Sequence, residues 1–224
     1  MESDALNDRR YERARRQLIE TIGDRGIHDL AVLRAFDLVP RHVFLPEGAQ
    51  HRAYEDAPIP IGFGQTASQP SLQALYLQTL KLQPREKVLE VGTGSGYQTA
   101  LIAQIAGTVY SIERIRELSV RARAALDALR IGNVALWVGD GTVGWSRYAP
   151  YDAILVSAGS PDVPPALIEQ LAVGGRMLIP IGDRDVQRLM LVRRTADGIE
   201  KQEISKVVFV PLVGRFGWPD AGTE

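Results

Sequence analysis

Val88-Leu89-Glu90-Val91-Gly92-Thr93-Gly94-Ser95-Gly96-Tyr97 is an apolar run that stops in a glycine-rich turn and resumes as a helical pattern. The order reads as a buried strand, a tight turn and a helix N-terminus. Glycines at alternate positions permit backbone conformations closed to other residues and let the chain approach a ligand, while the helix N-terminus favours negative groups. Spacing narrows the choice of ligand. A dinucleotide fingerprint needs its third glycine one place later, where this chain has Tyr97.

Outward from this stretch, short β-branched runs alternate with helical patterns. Strands are expected over 87–91, 108–112, 134–138, 152–157 and 176–181, with helices from Tyr97, over 115–130 and over 165–171. Such alternation predicts an α/β fold, a doubly wound and mostly parallel sheet covered on both faces. The end of the chain breaks the pattern, because 187–192 and 204–210 flank a turn signal at Asp197-Gly198 with no helix between. A terminal hairpin, closing the sheet with an antiparallel strand, is expected there. Ahead of the core, helical spacing recurs over 11–21, 29–36 and 71–81, and Gly23 and Gly26 interrupt the first two. From Val39 to Pro70 prolines and glycines give a loop-like stretch, long enough to be functional or disordered.

Length and composition bound the rest. At 224 residues and 45% hydrophobic, the chain holds one sizeable domain: residues 1–70 as an N-terminal elaboration and 71–224 as the ligand-binding core. Its 26 basic and 27 acidic residues leave a formal charge of −1, so no global field recruits nucleic acid or an anionic membrane. The arginines between Arg9 and Arg16 lie among acidic residues without an aromatic ladder and read as a solvated helix face. No cysteine is present, which excludes disulfides, thiol nucleophiles and cysteine-rich zinc sites. His28, His42 and His51 fit no metal-ligand or base motif and read as structural; no metal is expected. There is no secretory signal pattern and no apolar run of the roughly 20 residues that cross a bilayer, so a cytoplasmic protein is expected.

Two acidic residues stand at successive strand ends, where open α/β sheets bind ligands. Glu113, in Tyr110-Ser111-Ile112-Glu113-Arg114, can accept hydrogen bonds from both hydroxyls of a ribose; the alternative is a surface pair with Arg114 or Arg116. Asp140, in Gly139-Asp140-Gly141, can meet an adenine amino group; the alternative is a plain turn. The tight Gly92-x-Gly94-x-Gly96 form behind Glu90 is similar to the glycine loop of Rossmann-like methyltransferases.

With these residues in view, the chain closely resembles the protein-L-isoaspartate O-methyltransferase family from about Gln17 to Trp218. The most specific stretch is Ala53-Tyr54-Glu55-Asp56-Ala57-Pro58-Ile59-Pro60-Ile61-Gly62-Phe63-Gly64-Gln65-Thr66-Ala67-Ser68-Gln69-Pro70. Val39-Pro40-Arg41-His42-Val43-Phe44-Leu45-Pro46-Glu47 and Phe209-Val210-Pro211-Leu212-Val213-Gly214 match the segments on either side. The resemblance implies a seven-stranded sheet whose last-added strand is antiparallel. It implies S-adenosyl-L-methionine as methyl donor, with S-adenosyl-L-homocysteine as product, and Ser68 as the active-site residue. Cofactor contacts carried over are Thr66, Ser68, Glu90, Gly92, Gly94, Gly96, Glu113, Asp140 and Gly141. Substrate contacts expected from the loop and the C-terminal segment are Asp56, Pro58, Ile59, Pro60, Val210, Pro211 and Leu212. Ala67, where the family commonly has Ile, and Ser157-Ala158-Gly159-Ser160, where it commonly has a Thr-Ala-Ala-rich run, depart from the pattern beside the active site.

The implied reaction is esterification of the free carboxylate of L-isoaspartyl residues in damaged proteins and peptides, with D-aspartyl residues as a further candidate, and it begins their repair. Methyl transfer from a sulfonium to a carboxylate needs no general base, because a carboxylic acid of pKa near 4 is already ionised at neutral pH. Positioning should dominate, with Ser68 orienting the carboxylate by a hydrogen bond. A methyltransferase dedicated to an aspartyl or isoaspartyl site in one particular peptide is the closest alternative. A serine hydrolase is disfavoured because neither Ser68 nor Ser95 lies in a Gly-x-Ser-x-Gly elbow, and an NAD-dependent oxidoreductase by the glycine spacing. A binding module without catalysis should have lost Ser68, Glu113 or the glycines, and all are present. The enzyme is expected to be a monomer.

Overall fold

The computed structural model describes residues 9–220. Two helices open the chain, α1 (Arg9–Asp24) and α2 (Leu30–Leu38), and the Asp29 carboxylate caps α2 by accepting from the backbone N–H groups of Ala31 and Val32. The segment from Val39 to Pro70 is more ordered than its composition suggests. It holds two short 3-10 turns, Arg41–Phe44 and Glu47–Arg52, and a hairpin of β1 (Ile59–Gly62) and β2 (Gln65–Ala67). Gly62, Phe63 and Gly64 turn the hairpin with φ of 94°, 55° and 69°. Sequence periodicity misses strands this short.

The core follows as α3 (Pro70–Leu80), β3 (Lys87–Val91), α4 (Tyr97–Ile105), β4 (Thr108–Glu113), α5 (Arg116–Ala128), β5 (Val134–Val138), β6 (Tyr151–Val156), α6 (Pro165–Gln170), β7 (Leu171–Gly182), β8 (Gln187–Arg194) and β9 (Ile199–Val207). One sheet takes all of β3 to β9, in the order β5-β4-β3-β6-β7-β8-β9. The expected mostly parallel, seven-stranded sheet is present. The pairs from β5 across to β7 are parallel, and β8 runs against β7. Since β9 pairs antiparallel with β8, the strand that opposes the others is β8, one place in from the edge. Thr195 N–H closes the hairpin turn on the Gly198 carbonyl at 2.8 Å.

Side chains alternate between the two faces because successive Cβ atoms point to opposite sides. Val88, Ala153 and Leu155 join α1 to α4 in one apolar cluster, which also takes Leu18, Val32 and Leu101. Leu89, Val91, Ile154 and Val156 enter a second cluster on the other face. There half-buried Tyr110, Trp137, Trp145 and Tyr148 share the covering role with α6, and Tyr110 stacks on Tyr148 at 4.4 Å. Burial on both faces explains why these strands read as continuous apolar runs.

The order of strands fixes where a ligand can sit. From β3 the chain moves outward through β4 to β5, then returns to place β6 on the other flank of β3. The two connections diverge at the carboxyl ends of β3 and β6 and leave a crevice. Gly92 and Ser157 are the residues that follow those ends, tied by the Ser157 N–H to Val91 carbonyl bond of 2.9 Å. Among the described residues no helix is long and apolar enough to cross a membrane, and no group of three or more His, Cys, Asp or Glu is placed to hold a metal ion.

Candidate active site

The crevice is floored by the glycine turn. Gly92, Gly94 and Gly96 adopt φ of 96°, 54° and 86°, a region that residues with a Cβ rarely occupy. At Gly96 there is also no room, since a Cβ would lie 2.9 Å from Ala122 Cβ on α5. Gly96 therefore lets α5 pack against the turn, whereas Gly92 and Gly94 face the cavity. Glu113 secures the turn from the end of β4. Its Oε2 accepts from the Gly94 N–H at 2.8 Å and its Oε1 from the Ile115 N–H at 2.9 Å. The side chain is nearly buried and lines the cavity. The alternative of a pair with Arg114 does not form: Arg114 bonds Asp220 instead, at 2.9 Å.

Glu90 sits below the turn. It is fully buried and accepts from the hydroxyls of Thr99 and Ser111, the latter at 2.6 Å. Burial pushes its carboxyl up to about 7, against the lowering effect of those two hydroxyls. It supports the floor and does not line the cavity. Asp140 is likewise engaged within the chain. Its Oδ1 accepts from the N–H and hydroxyl of Thr142, at 2.8 and 2.7 Å, and its Oδ2 from the Arg215 N–H at 2.8 Å. Gly141 next to it lines the cavity, and a Cβ there would collide with Val91.

The wall opposite comes from the segment ahead of the core, held by a residue to which the sequence reading gave no role. Arg41 is completely buried, and no carboxylate among the described residues is bound to it. Its guanidinium donates to the carbonyls of Ala53 at 2.9 Å, Glu55 at 3.1 Å, Ala57 at 3.4 Å and Ser68 at 3.0 Å. The planar fork thus fixes both ends of the loop that carries Ser68. Burial lowers the Arg41 pKa, opposed by the Tyr97 and Asp56 side chains. Asp56 is a second staple: it accepts from the Ser71 N–H at 2.8 Å and the Gln69 amide at 3.0 Å, and pairs with Arg25 at 2.9 Å.

Thr66, Ala67 and Ser68 then line a cavity of about 260 Å³ together with Gly92, Gly94, Glu113, Gly141, Ser157, Val210, Pro211 and Leu212. A second, wider groove of about 730 Å³ lies beside it, lined by Pro58, Ser68, Leu72, Leu75, Val186, Val208 and Phe209 among others. Thr66, Ser68, Ser157 and Val210 border both. Of the expected substrate contacts, Pro58 and Val210 line the groove, while Pro211 and Leu212 line only the smaller cavity. Asp56, Ile59 and Pro60 line neither; Ile59 is buried in a small cluster with Ile61 and Leu118, and Pro60 faces outward.

Cavity residues outside the expected set include Gln73 and Tyr76 on α3, and Gln98 on α4. Gln73 Oε1, the Tyr76 hydroxyl and both amide atoms of Gln98 are buried without a hydrogen-bond partner among the described residues. Desolvation holds the Tyr76 phenol well above its ordinary value, so it stays neutral and able to donate. Buried polar atoms left unpaired are costly, and several converging on one cavity mark it as built for a polar ligand. Glutamines on otherwise apolar helix faces are the sequence signal that could have found them. Donors and acceptors here, with Glu113 and the glycine turn opposite, suit a ligand carrying both an amino-acid group and a nucleoside.

A doubly wound sheet with a tight glycine turn at its crevice, an acidic residue on the next strand end and this polar cavity defines a Rossmann-like methyltransferase dependent on S-adenosylmethionine. The family model for protein-L-isoaspartate(D-aspartate) O-methyltransferase matches residues 13–217, and the chain belongs to that family. It is 49% identical over 216 residues to a protein-L-isoaspartate O-methyltransferase of Geobacter metallireducens, covering 96% of this chain and 99% of the relative. A Dictyoglomus thermophilum enzyme of the same name is 48% identical over 210 residues, covering 94% and 96%. Among solved structures, a protein-L-isoaspartate O-methyltransferase matches with a TM-score of 0.84 at 31% identity, over 91% of this chain and 67% of that one. A Plasmodium falciparum chain described under the same family name, in complex with S-adenosyl-L-homocysteine, matches with a TM-score of 0.78 at 28% identity, over 88% and 97%.

Proposed function

We infer that the chain transfers the methyl group of S-adenosyl-L-methionine to the free carboxylate of L-isoaspartyl residues in damaged proteins and peptides, initiating their repair. The observation that carries the reading is the common wall of Thr66, Ser68, Ser157 and Val210 between the polar cavity and the wider groove. The cavity takes the methyl donor, and the groove takes the peptide. S-adenosylmethionine supplies an activated methyl group; the chain supplies alignment. Glu113 would hold the ribose hydroxyls, Gly92, Gly94 and Gly141 leave room for the ligand to approach the backbone, and Gln73, Tyr76 and Gln98 would meet its amino-acid end. Glu90, Gly96 and Asp140 act from behind, by holding the floor and the rim.

Ser68 borders both spaces, and no hydrogen bond among the described residues occupies its hydroxyl. It can donate to the isoaspartyl carboxylate while Arg41 fixes its backbone carbonyl. No side chain has to remove a proton, since that carboxylate is ionised at neutral pH. Pro58 and Val210 would bracket the peptide, with Asp56 and Ile59 shaping the loop from within. A groove of this width, walled by Leu72, Leu75 and Val208, supports action on many isoaspartyl sites over dedication to one peptide. A single-domain monomer and a cytoplasmic setting are both readings of the sequence.

The test is transfer of label from S-adenosylmethionine to matched peptides containing isoaspartate, aspartate or D-aspartate. Base-labile label on the isoaspartyl peptide and little on its aspartyl twin is expected. Equal label on both would overturn the repair reading.

A further inference from the structure

The charge of the groove has no part in the alignment just described. We propose that Lys206 makes this enzyme select isoaspartyl peptides that carry an acidic side chain within about four residues of the isoaspartate. The proposal rests on the reading of the wider groove as the peptide site.

Arg25 and Lys206 are the charged residues in the groove lining, and both are cationic. They are not equivalent. Arg25 Nε lies 2.9 Å from the carboxylate of Asp56, whose side chain is only 9% exposed, so its charge is already compensated. Lys206 is exposed, and no carboxylate among the described residues pairs with it. Its cross-strand neighbour on β8 is another cation, Arg188, whose own partner Glu203 stands 3.7 Å away. Lys206 also leads directly into Val207, Val208, Phe209 and Val210, the stretch that walls the groove and reaches the border shared with Ser68.

An extended peptide rises about 3.3 Å per residue, so with the isoaspartate at Ser68 its neighbours run along this wall. The remaining lining is apolar or neutral and offers no counter-charge to an acidic neighbour. With a net charge of −1 the whole chain exerts little long-range pull, which makes any charge preference local to Lys206. An exposed ion pair changes affinity by roughly two- to fivefold, and replacing attraction by repulsion widens the contrast to about tenfold.

The experiment measures kcat and KM for three isoaspartyl peptides differing only in a flanking Glu, Gln or Lys, with the full chain and with Lys206→Gln and Lys206→Glu. The wild-type enzyme should favour the Glu over the Lys peptide by about tenfold in kcat/KM at low salt, mainly through KM, and less at high salt where charges are screened. Lys206→Gln should flatten the order and Lys206→Glu invert it. Arg25→Gln, which removes a compensated charge, should shift the order less than Lys206→Gln does. A Glu-to-Lys ratio near one in the wild type, or the same ratio in all variants, would overturn the proposal. Failure of the wild type to methylate even the Gln peptide would instead overturn the isoaspartyl reading beneath it.

Discussion

The two spaces that meet at Ser68 differ in the groups they present. The smaller cavity is walled by backbone turned toward it and by polar atoms without partners among the described residues, Gln73 Oε1, the Tyr76 hydroxyl and the Gln98 amide. The groove is walled by aliphatic side chains, with Val208 72% and Val186 49% exposed. On the proposed reading the first takes one ligand of fixed chemistry, and its groups are held by the strand ends and by α3 and α4. On the proposed reading the second takes many sequences, and it is lined by the loop before the core, by α3, and by the end of β9 with the segment that follows it. Fixed chemistry is met by preformed hydrogen-bonding groups; variable chemistry is met by apolar width and a few charges.

Substitutions should affect the two spaces separately. Arg41→Met should have the largest effect. It leaves four carbonyls, one buried and three part-buried, without their donor, at about 1–3 kcal/mol for each that stays unsatisfied. A thermal melt should show the loss, and Arg41→Lys should not restore it, because an ammonium lacks the planar fork. Wild-type stability in Arg41→Met would mean that the loop holds Ser68 unaided.

Glu90 gives a pH-dependent effect on the cofactor side. Burial raises its folded pKa from 4.5 to about 7, so between those values the folded chain keeps a proton that the unfolded chain has lost. Stability is then fullest below 4.5 and falls as pH rises toward 7. Glu90→Gln should flatten that fall and raise stability at pH 8 by about 3 kcal/mol, from 1.36 kcal/mol per pKa unit. Denaturant melts from pH 4 to pH 8 with the wild-type slope retained would contradict the buried, protonated carboxyl.

Glu113→Ala should weaken S-adenosylhomocysteine binding by about 10- to 100-fold through lost charge-assisted bonds, and leave peptide affinity much less affected. Calorimetric affinity equal to wild type in a folded variant would remove Glu113 from the nucleoside site. Smallest of all, Arg114→Gln breaks an exposed pair with Asp220 at the cavity mouth. Exposed pairs contribute about 0–1 kcal/mol, so the cofactor constant should move less than about fivefold. A larger change would make that pair part of the site.

How much was legible in the sequence follows the same division. The sheet announced itself through strands buried on both faces and a glycine turn whose φ values leave little alternative. Of the residues lining the cavity at strand ends, Gly92, Gly94 and Glu113 were legible because topology places such ends together, whereas Gly141 came from the family resemblance. Glu90 and Asp140 were found as acidic residues at the right places, yet sequence position does not reveal direction: one points into the core and the other toward Arg215. Asp56 and Ile59 show the same limit in the loop. Gln73, Tyr76, Gln98 and Arg41 were missed because their roles depend on which face is buried and on contacts between residues distant in the chain. The hairpin of β1 and β2 was missed because four and three residues are too few to show a period.

Ser68 is where the two spaces join, and rapid-quench single turnover of Ser68→Ala, with both substrates saturating, tests the account most directly. The methyl-transfer step should slow by about 10- to 100-fold, somewhat less than on loss of an oxyanion donor because the nucleophile needs no deprotonation. Affinity for S-adenosylhomocysteine and the melting temperature should stay near wild type. A transfer step as fast as wild type would contradict the account, and so would a covalent methyl adduct on Ser68 in the unaltered enzyme.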